Sequence, residues 1–256
     1  MFAVLKRELD SYFKSITAYL TASFLVLICG FLFYWRVLFY AEQSSIMAGA
    51  PPGMGMKLNF NTAILASLPG TVAFVLLFFV VPVMTMHLFA EEKKNGTLEV
   101  LFTYPLTEID LIFGKYLSCF LAILPGIIIS AMFPLFLRTK MPHMDLGYLY
   151  SGYFGIFLAC IAGISIGIWA SSVTDKQIIA CALTIFVIMA FWIIGAPANM
   201  MSGNIKEVLT ALSFSGNLET FTKGVIDLNS VLYFVGMSVI FLYFTYCNLA
   251  SRNWRG

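Results

Sequence analysis

Glu91-Glu92-Lys93-Lys94-Asn95-Gly96-Thr97-Leu98-Glu99-Val100-Leu101-Phe102-Thr103-Tyr104-Pro105 is a polar segment set between two long apolar stretches. Its residue types suit docking onto another surface. Asn95-Gly96 breaks the preceding helix, and the Thr97 hydroxyl can accept an orphan amide and cap a new one. Leu98, Val100, Leu101 and Phe102 supply apolar surface, while Glu99 stays polar. Pro105 forces an end, because the residue before a proline avoids helical geometry. Thr107-Glu108-Ile109-Asp110 then matches a Thr-x-x-Asp capping pattern and opens the next helix. The spacing predicts a capped helix of about two turns across one mouth of the protein. Its apolar face calls for a protein partner or for lipid to rest on.

Other candidates for chemistry are weaker. Gly114-Lys115 has the ending of a phosphate-binding loop, but Ile109 stands where the upstream glycine is required. Tyr116 occupies the magnesium-binding Ser/Thr position, so no nucleotide site is expected. Lys115 instead marks the lip of a span, with its ammonium snorkelling to headgroups. Cys29, Cys119, Cys160, Cys181 and Cys247 lie in apolar runs without zinc or redox spacing and read as inert thiols. Met47, Met54, Met56, Met141, His143, Met144, Met200 and Met201 form no tight soft-ligand cluster, so no metal site is expected. Arg36 and His87 are the ionisable groups that come near the spans, both close to span ends, which argues against a proton-coupled carrier.

The elements that position the polar segment are membrane helices. The chain has 256 residues, of which 60% are hydrophobic and 11% charged, with a mean hydropathy of +0.90. A soluble domain would carry roughly a quarter charged residues. The net charge of +2 is too small and dispersed to suggest nucleic acid. Crossing the hydrocarbon takes about 20 apolar residues, and segments 17–40, 67–89, 116–137, 148–171, 178–198 and 230–250 satisfy this. Backbone amides in lipid must pair within their own segment, so these are helices. The expectation is an all-α, polytopic domain over residues 1–256, with six spans and a coupling loop at 90–115. The first apolar run has the length of a span rather than of a cleaved signal.

Residues 1–16 read as an amphipathic helix in the headgroup plane. Phe2, Leu5, Leu9, Tyr12, Phe13 and Ile16 share one face, with Lys6, Arg7, Asp10 and Lys14 opposite. It serves either as an anchor for the first span or as a lever passing force from a partner. Residues 49–56 are rich in Gly and Pro and read as irregular loop. Residues 200–229 read as short, partly apolar helices at the outer interface, with Glu219 and Lys223 in the favourable i,i+4 order. Gly152, Gly155, Gly163 and Gly167 permit close helix approach, within the subunit or between subunits.

Six spans put both termini on one side. With an inside N-terminus, the inner segments hold Lys6, Arg7, Lys14, Lys93, Lys94, Lys115, Lys176, Arg252 and Arg255. The outer ones hold Arg36, Lys57, Arg138, Lys140, Lys206 and Lys223. The bias favours cytoplasmic termini.

The run Phe89 to Leu101, followed by Pro105-Leu106 and Gly114-Lys115, resembles the cytoplasmic signature of type-2 ABC exporter permeases. That signature has an acidic pair, Gly-Thr-x-Glu, a proline and a Gly-Lys opening the third span. Residues 170–177 resemble the family's second inner loop, and 221–228 its segment before the last span. With Ser251-Arg252-Asn253-Trp254, the chain is most similar to the gliding-motility-associated permeases. The resemblance implies a non-catalytic permease subunit of an exporter in the bacterial cytoplasmic (inner) membrane. It would pair with a second, identical or different, permease, and an ABC ATPase on the cytoplasmic face would bind the ATP and magnesium. A periplasmic or envelope accessory protein is a further possible partner. The resemblance assigns ATPase coupling to Glu91, Glu92, Gly96, Thr97, Glu99 and Pro105, and the boundary of span three to Lys115. Cargo remains open. Two other readings stand beside this one: an ATPase-coupled scaffold transmitting force to an envelope complex, and an ion-coupled carrier.

Overall fold

The computed structural model describes residues 2–14, 16–48, 67–97, 107–138, 145–197 and 204–253. Among these the secondary structure is helical. An amphipathic α1 (Phe2–Lys14) leads into the long α2 (Ile16–Ala48). Next come α3 (Ser67–Lys94), α4 (Glu108–Arg138), α5 (Leu146–Val173) and α6 (Gln177–Ile193). Two short helices, α7 (Asn204–Leu212) and α8 (Phe214–Thr222), precede the last, α9 (Leu228–Asn253).

Among the described residues, α2, α3, α4, α5 and α9 are long and apolar enough to cross a membrane. The expected span at 178–198 is a shorter apolar helix, Gln177–Ile193, of 17 residues, about 26 Å long. It stops early for local reasons. Gly195 packs so tightly that a Cβ there would lie 2.3 Å from Ser213 Oγ, and Pro197 biases the residue before it away from helix. The helix that carries the first span runs further than the expected span, to Ala48 rather than residue 40.

The centre of the molecule is α5. Its most apolar 18-residue stretch is 78% buried, against 11% for that of α2, which lies at the periphery. Glycines admit the close packing. A Cβ on Gly152, Gly163 or Gly167 would lie 2.4 Å from Pro69, 2.6 Å from Leu77 or 2.1 Å from Thr85, all on α3. Gly155 meets Phe221 of α8 at 2.7 Å on the same criterion. The α5 glycines therefore serve packing within the chain.

Two irregularities shape α3. Leu76–Val80 is a π turn, with Val81 N–H reaching back to Leu76 O. It absorbs the disturbance of Pro82, which cannot donate and whose ring crowds the preceding turn. A second break lies at Met86. Ser171 Oγ of α5 accepts from the amides of Phe89 and Ala90, at 3.0 Å each, and donates to Met86 O at 3.1 Å. The hydroxyl stands in the rung that would have joined Met86 to Ala90, one of the recognised causes of helix kinks.

At the other end of the molecule, α8 is tucked in as the partly apolar pattern predicts. Phe214, Leu218 and Phe221 are buried, and Ser213 caps the helix by accepting from Gly216 N–H. The Glu219–Lys223 pair forms at 2.8 Å.

Candidate functional site: the charged mouth beneath the polar loop

The polar segment leaves α3 as its sequence dictates. Asn95 N–H bonds Glu91 O and Gly96 N–H bonds Lys93 O, at 3.0 and 3.2 Å. Gly96 takes the left-handed conformation, φ +67°, which suits a residue without a Cβ. Thr97 Oγ1 donates back to Glu92 O at 3.3 Å. The chain re-enters at α4 through the predicted cap: Thr107 Oγ1 accepts from Asp110 N–H at 3.2 Å and donates to its carboxylate at 2.8 Å. Glu99 and Pro105, with the short helix expected between them, lie outside the described residues.

The two stems of this loop are tied together by charge. Lys115, on the first turns of α4, places Nζ 2.9 Å from Glu92 Oε1 of α3 and 3.1 Å from Glu8 Oε1 of α1. It also donates to Leu88 O at 2.6 Å and lies 5.1 Å from the Phe89 ring centroid. Arg7 completes the cluster from the rim, with Nη2 2.8 Å from both Glu8 Oε1 and Glu92 Oε1. Two cations and two carboxylates thus sum to zero net charge. That balance is what permits a fully buried lysine, because an unpaired charge taken out of water is far too costly. One acceptor is left over: Glu92 Oε2 is buried with no hydrogen-bond partner among the described residues.

Lys115 therefore departs from the snorkelling expected of it. Its side chain is 1% exposed and turns inward, because the acidic pair and the Leu88 carbonyl offer more than headgroups could. The reading of α1 also shifts. Its buried stripe is Val4, Glu8 and Tyr12, so a carboxylate sits inside while Phe13 and Ile16 of the expected apolar face remain exposed. The helix packs one flank on protein and leaves an apolar flank outward. Tyr12 locks this arrangement by donating to Met84 O at 2.9 Å and meeting His87 edge-on at 5.2 Å.

Electrostatics in α1 follow from this geometry. Burial pushes the Glu8 carboxyl up, but the Lys115 charge and the Arg7 hydrogen bond outweigh it and hold it below its ordinary range. Burial likewise pulls Arg7 down, and its two carboxylate partners more than restore it.

Among the residues assigned to coupling, Glu92, Gly96 and Thr97 come together at this mouth, with Lys115 beneath them. Glu91 is exposed and takes no part in the cluster. The sequence reading missed Glu8 and Arg7 as partners, and also the clamp on the far side of α3. There Ser172 O accepts from Lys93 Nζ and from Asn248 Nδ2 of α9, the latter at 2.8 Å. The only signal available was the acidic residue on an otherwise apolar stripe of α1.

Every described residue of the polar loop is thus carried on stems braced by α1, α4, α5 and α9. A comparison with curated proteins finds no match. The family described as ABC-2 family transporter protein matches residues 2–254, nearly the whole chain. Together with the bundle of membrane-length helices, this identifies a multi-pass membrane component: the chain belongs to the ABC-2 transporter family and is an ABC transporter permease subunit.

Proposed function

We propose that this permease serves an exporter and that its partner ATPase seats on the loop at 90–115. The observation that carries the proposal is the Glu92–Lys115 contact, 2.9 Å across the base of the loop. It fastens the end of α3 to the start of α4, so a push on the loop moves both spans together rather than bending the loop. Glu8 and Arg7 attach α1 to the same point, which makes α1 a lever as well as an anchor. Glu91, Gly96, Thr97, Glu99 and Pro105 form the face toward the ATPase, while Glu92 transmits from behind it. ATP and magnesium belong to that partner.

The finer assignments follow from the sequence. The protein crosses a bacterial inner membrane six times with both termini cytoplasmic, and it works as a pair of permease subunits. The segments 170–177 and 221–228 and the closing Ser251–Trp254 support a place near the gliding-motility-associated permeases. The test is Glu99→Lys in the tagged chain, purified in mild detergent from its native membrane. Insertion should be normal, while the co-purifying ATPase, or its stimulation, falls severalfold. Undiminished stimulation with normal assembly would remove Glu99 from the contact. Purification of the unaltered chain without any ABC ATPase would overturn the proposal itself.

A further inference from the structure

Two cavities lie along the same three helices, α2, α3 and α6. One, of about 470 Å³, is bordered by Arg36, Thr71, Phe74, Trp192 and, from α8, Glu219 and Thr222. The other, of about 610 Å³, is lined by Phe24, Leu27, Phe78, Phe79, Val83 and Ile185 and is almost wholly apolar. Three rings join them. Trp192 meets Phe74 at 5.8 Å and Phe78 at 5.6 Å between centroids, and Phe74 lies 4.5 Å from Phe78. The chain thus presents a cavity with polar groups and then an apolar one along α2, α3 and α6, and we take the two as one groove.

The charge at the mouth is positive. Arg36 donates to Thr71 Oγ1 at 3.4 Å and, among the described residues, makes no ion pair. A guanidinium carries five N–H donors, and Arg36 borders the cavity. Glu219 is already neutralised by Lys223 at 2.8 Å. Arg36, Glu219 and Lys223 together therefore leave one positive charge. Position matters too. Arg36 follows Ile16, the start of α2, by twenty residues, about 30 Å along the helix and close to one hydrocarbon thickness. With the start of α2 at one membrane surface, that spacing would place Arg36 near the headgroups of the other, and the apolar cavity at the depth of acyl chains.

We propose that this groove binds an anionic amphiphile drawn from the bilayer, with its headgroup on Arg36 and a chain lying along Phe24, Leu27, Phe78 and Phe79. Charge, depth and the change from polar to apolar lining all select that chemistry. The inference goes beyond the transporter assignment, because binding requires neither an ATPase nor movement of the ligand. Its failure would leave that assignment untouched.

The experiment is native mass spectrometry of the full chain, delipidated in detergent and titrated with phosphatidylglycerol or phosphatidylcholine. One phosphatidylglycerol should be retained at about tenfold lower free lipid than phosphatidylcholine, as a charge-assisted contact implies. Arg36→Gln should abolish that preference, and Arg36→Lys should keep much of it. Ile185→Trp, which fills the apolar cavity, should weaken both lipids. The exposed Lys206→Gln should change nothing. The proposal is overturned if Arg36→Gln keeps the preference, or if Lys206→Gln loses it equally, which would mean annular lipid only. Displacement by glycerol phosphate at the concentration of the lipid would also overturn it, since the site would then take free anions. Should Arg36→Gln fail to purify, the wild-type preference and Ile185→Trp decide.

Discussion

Lys115 is the residue on which the mouth depends, and its removal separates two accounts of buried charge. Taking away one member of a buried ion pair leaves its partners uncompensated, at about 3–5 kcal/mol. Lys115→Met should therefore lower the thermal midpoint of the detergent-solubilised chain sharply, since Glu8 and Glu92 would then face each other. Adding Glu8→Gln and Glu92→Gln should recover a good part of the loss, because what destabilises is the stranded charge rather than the missing attraction. A triple variant no better than Lys115→Met would mean that the cluster is held by net attraction. The same geometry fixes a pH dependence. The Glu8 carboxyl is held below its ordinary range, so the folded state favours the carboxylate. Its contribution to stability is complete above the ordinary value and disappears as the pH falls through the lower folded value. Wild-type stability should drop between about pH 5 and pH 3 more steeply than that of Glu8→Gln; parallel melting curves across that range would place the lability elsewhere.

At the scale of elements, the approach of α5 to α3 can be tested with a pair of glycines. Gly167→Ala drives a methyl to 2.1 Å from Thr85 Oγ1, whereas a Cβ on Gly236 of α9 meets nothing within 4 Å. Gly167→Ala should cost about 1–3 kcal/mol as an overpacked contact. Gly236→Ala should be neutral or slightly stabilising, since alanine favours helix. Equal midpoints for the two variants would show that α3 and α5 can separate without penalty. The contrast also marks how far the sequence could be read. Long apolar segments, the Asn95-Gly96 break, the Thr107 cap and the Glu219–Lys223 pair were legible because each is local. The partners of Lys115 were not, since they come from α1 and α3 and meet only in the fold. Helical periodicity left Glu8 unassigned, because the pattern alone does not reveal that a lysine waits opposite. Ser171 in the Met86–Ala90 rung was equally invisible: a serine near a helix end carries no signature of the helix it will enter. The role of Gly152 and Gly167 was half legible, as spacing announced close packing but not the partner.

For the whole molecule the open geometric question is whether α6 crosses the membrane, because that decides the side on which α9 ends. Its 17 residues are short of the roughly 20 that a span normally takes. Packing nonetheless carries it from one end of the bundle toward the other. It follows a loop whose preceding residues, Ser171 and Ser172, bond the Lys94 end of α3. It finishes with Trp192 against Phe74, near the start of α3, and Ser215 of α8 donates to Trp192 O at 3.1 Å. The turn 194–197 adds some of the few ångströms the helix lacks. Asp175→Cys and Lys206→Cys, each in a background without the native thiols, should then label from opposite sides. An impermeant maleimide applied to intact cells should reach the cysteine at 206 and should reach the one at 175 only after permeabilisation. A third cysteine replacing Asp10 should follow position 175, as six crossings with both termini on one side would require. Labelling of 175 and 206 from the same side would make α6 re-entrant and leave five crossings. The α9 terminus, with Asn248 bonded to Ser172, would then have to lie on the side opposite the mouth it braces. The hydrogen bond at 2.8 Å between those residues favours six crossings, and the labelling pattern decides between the two.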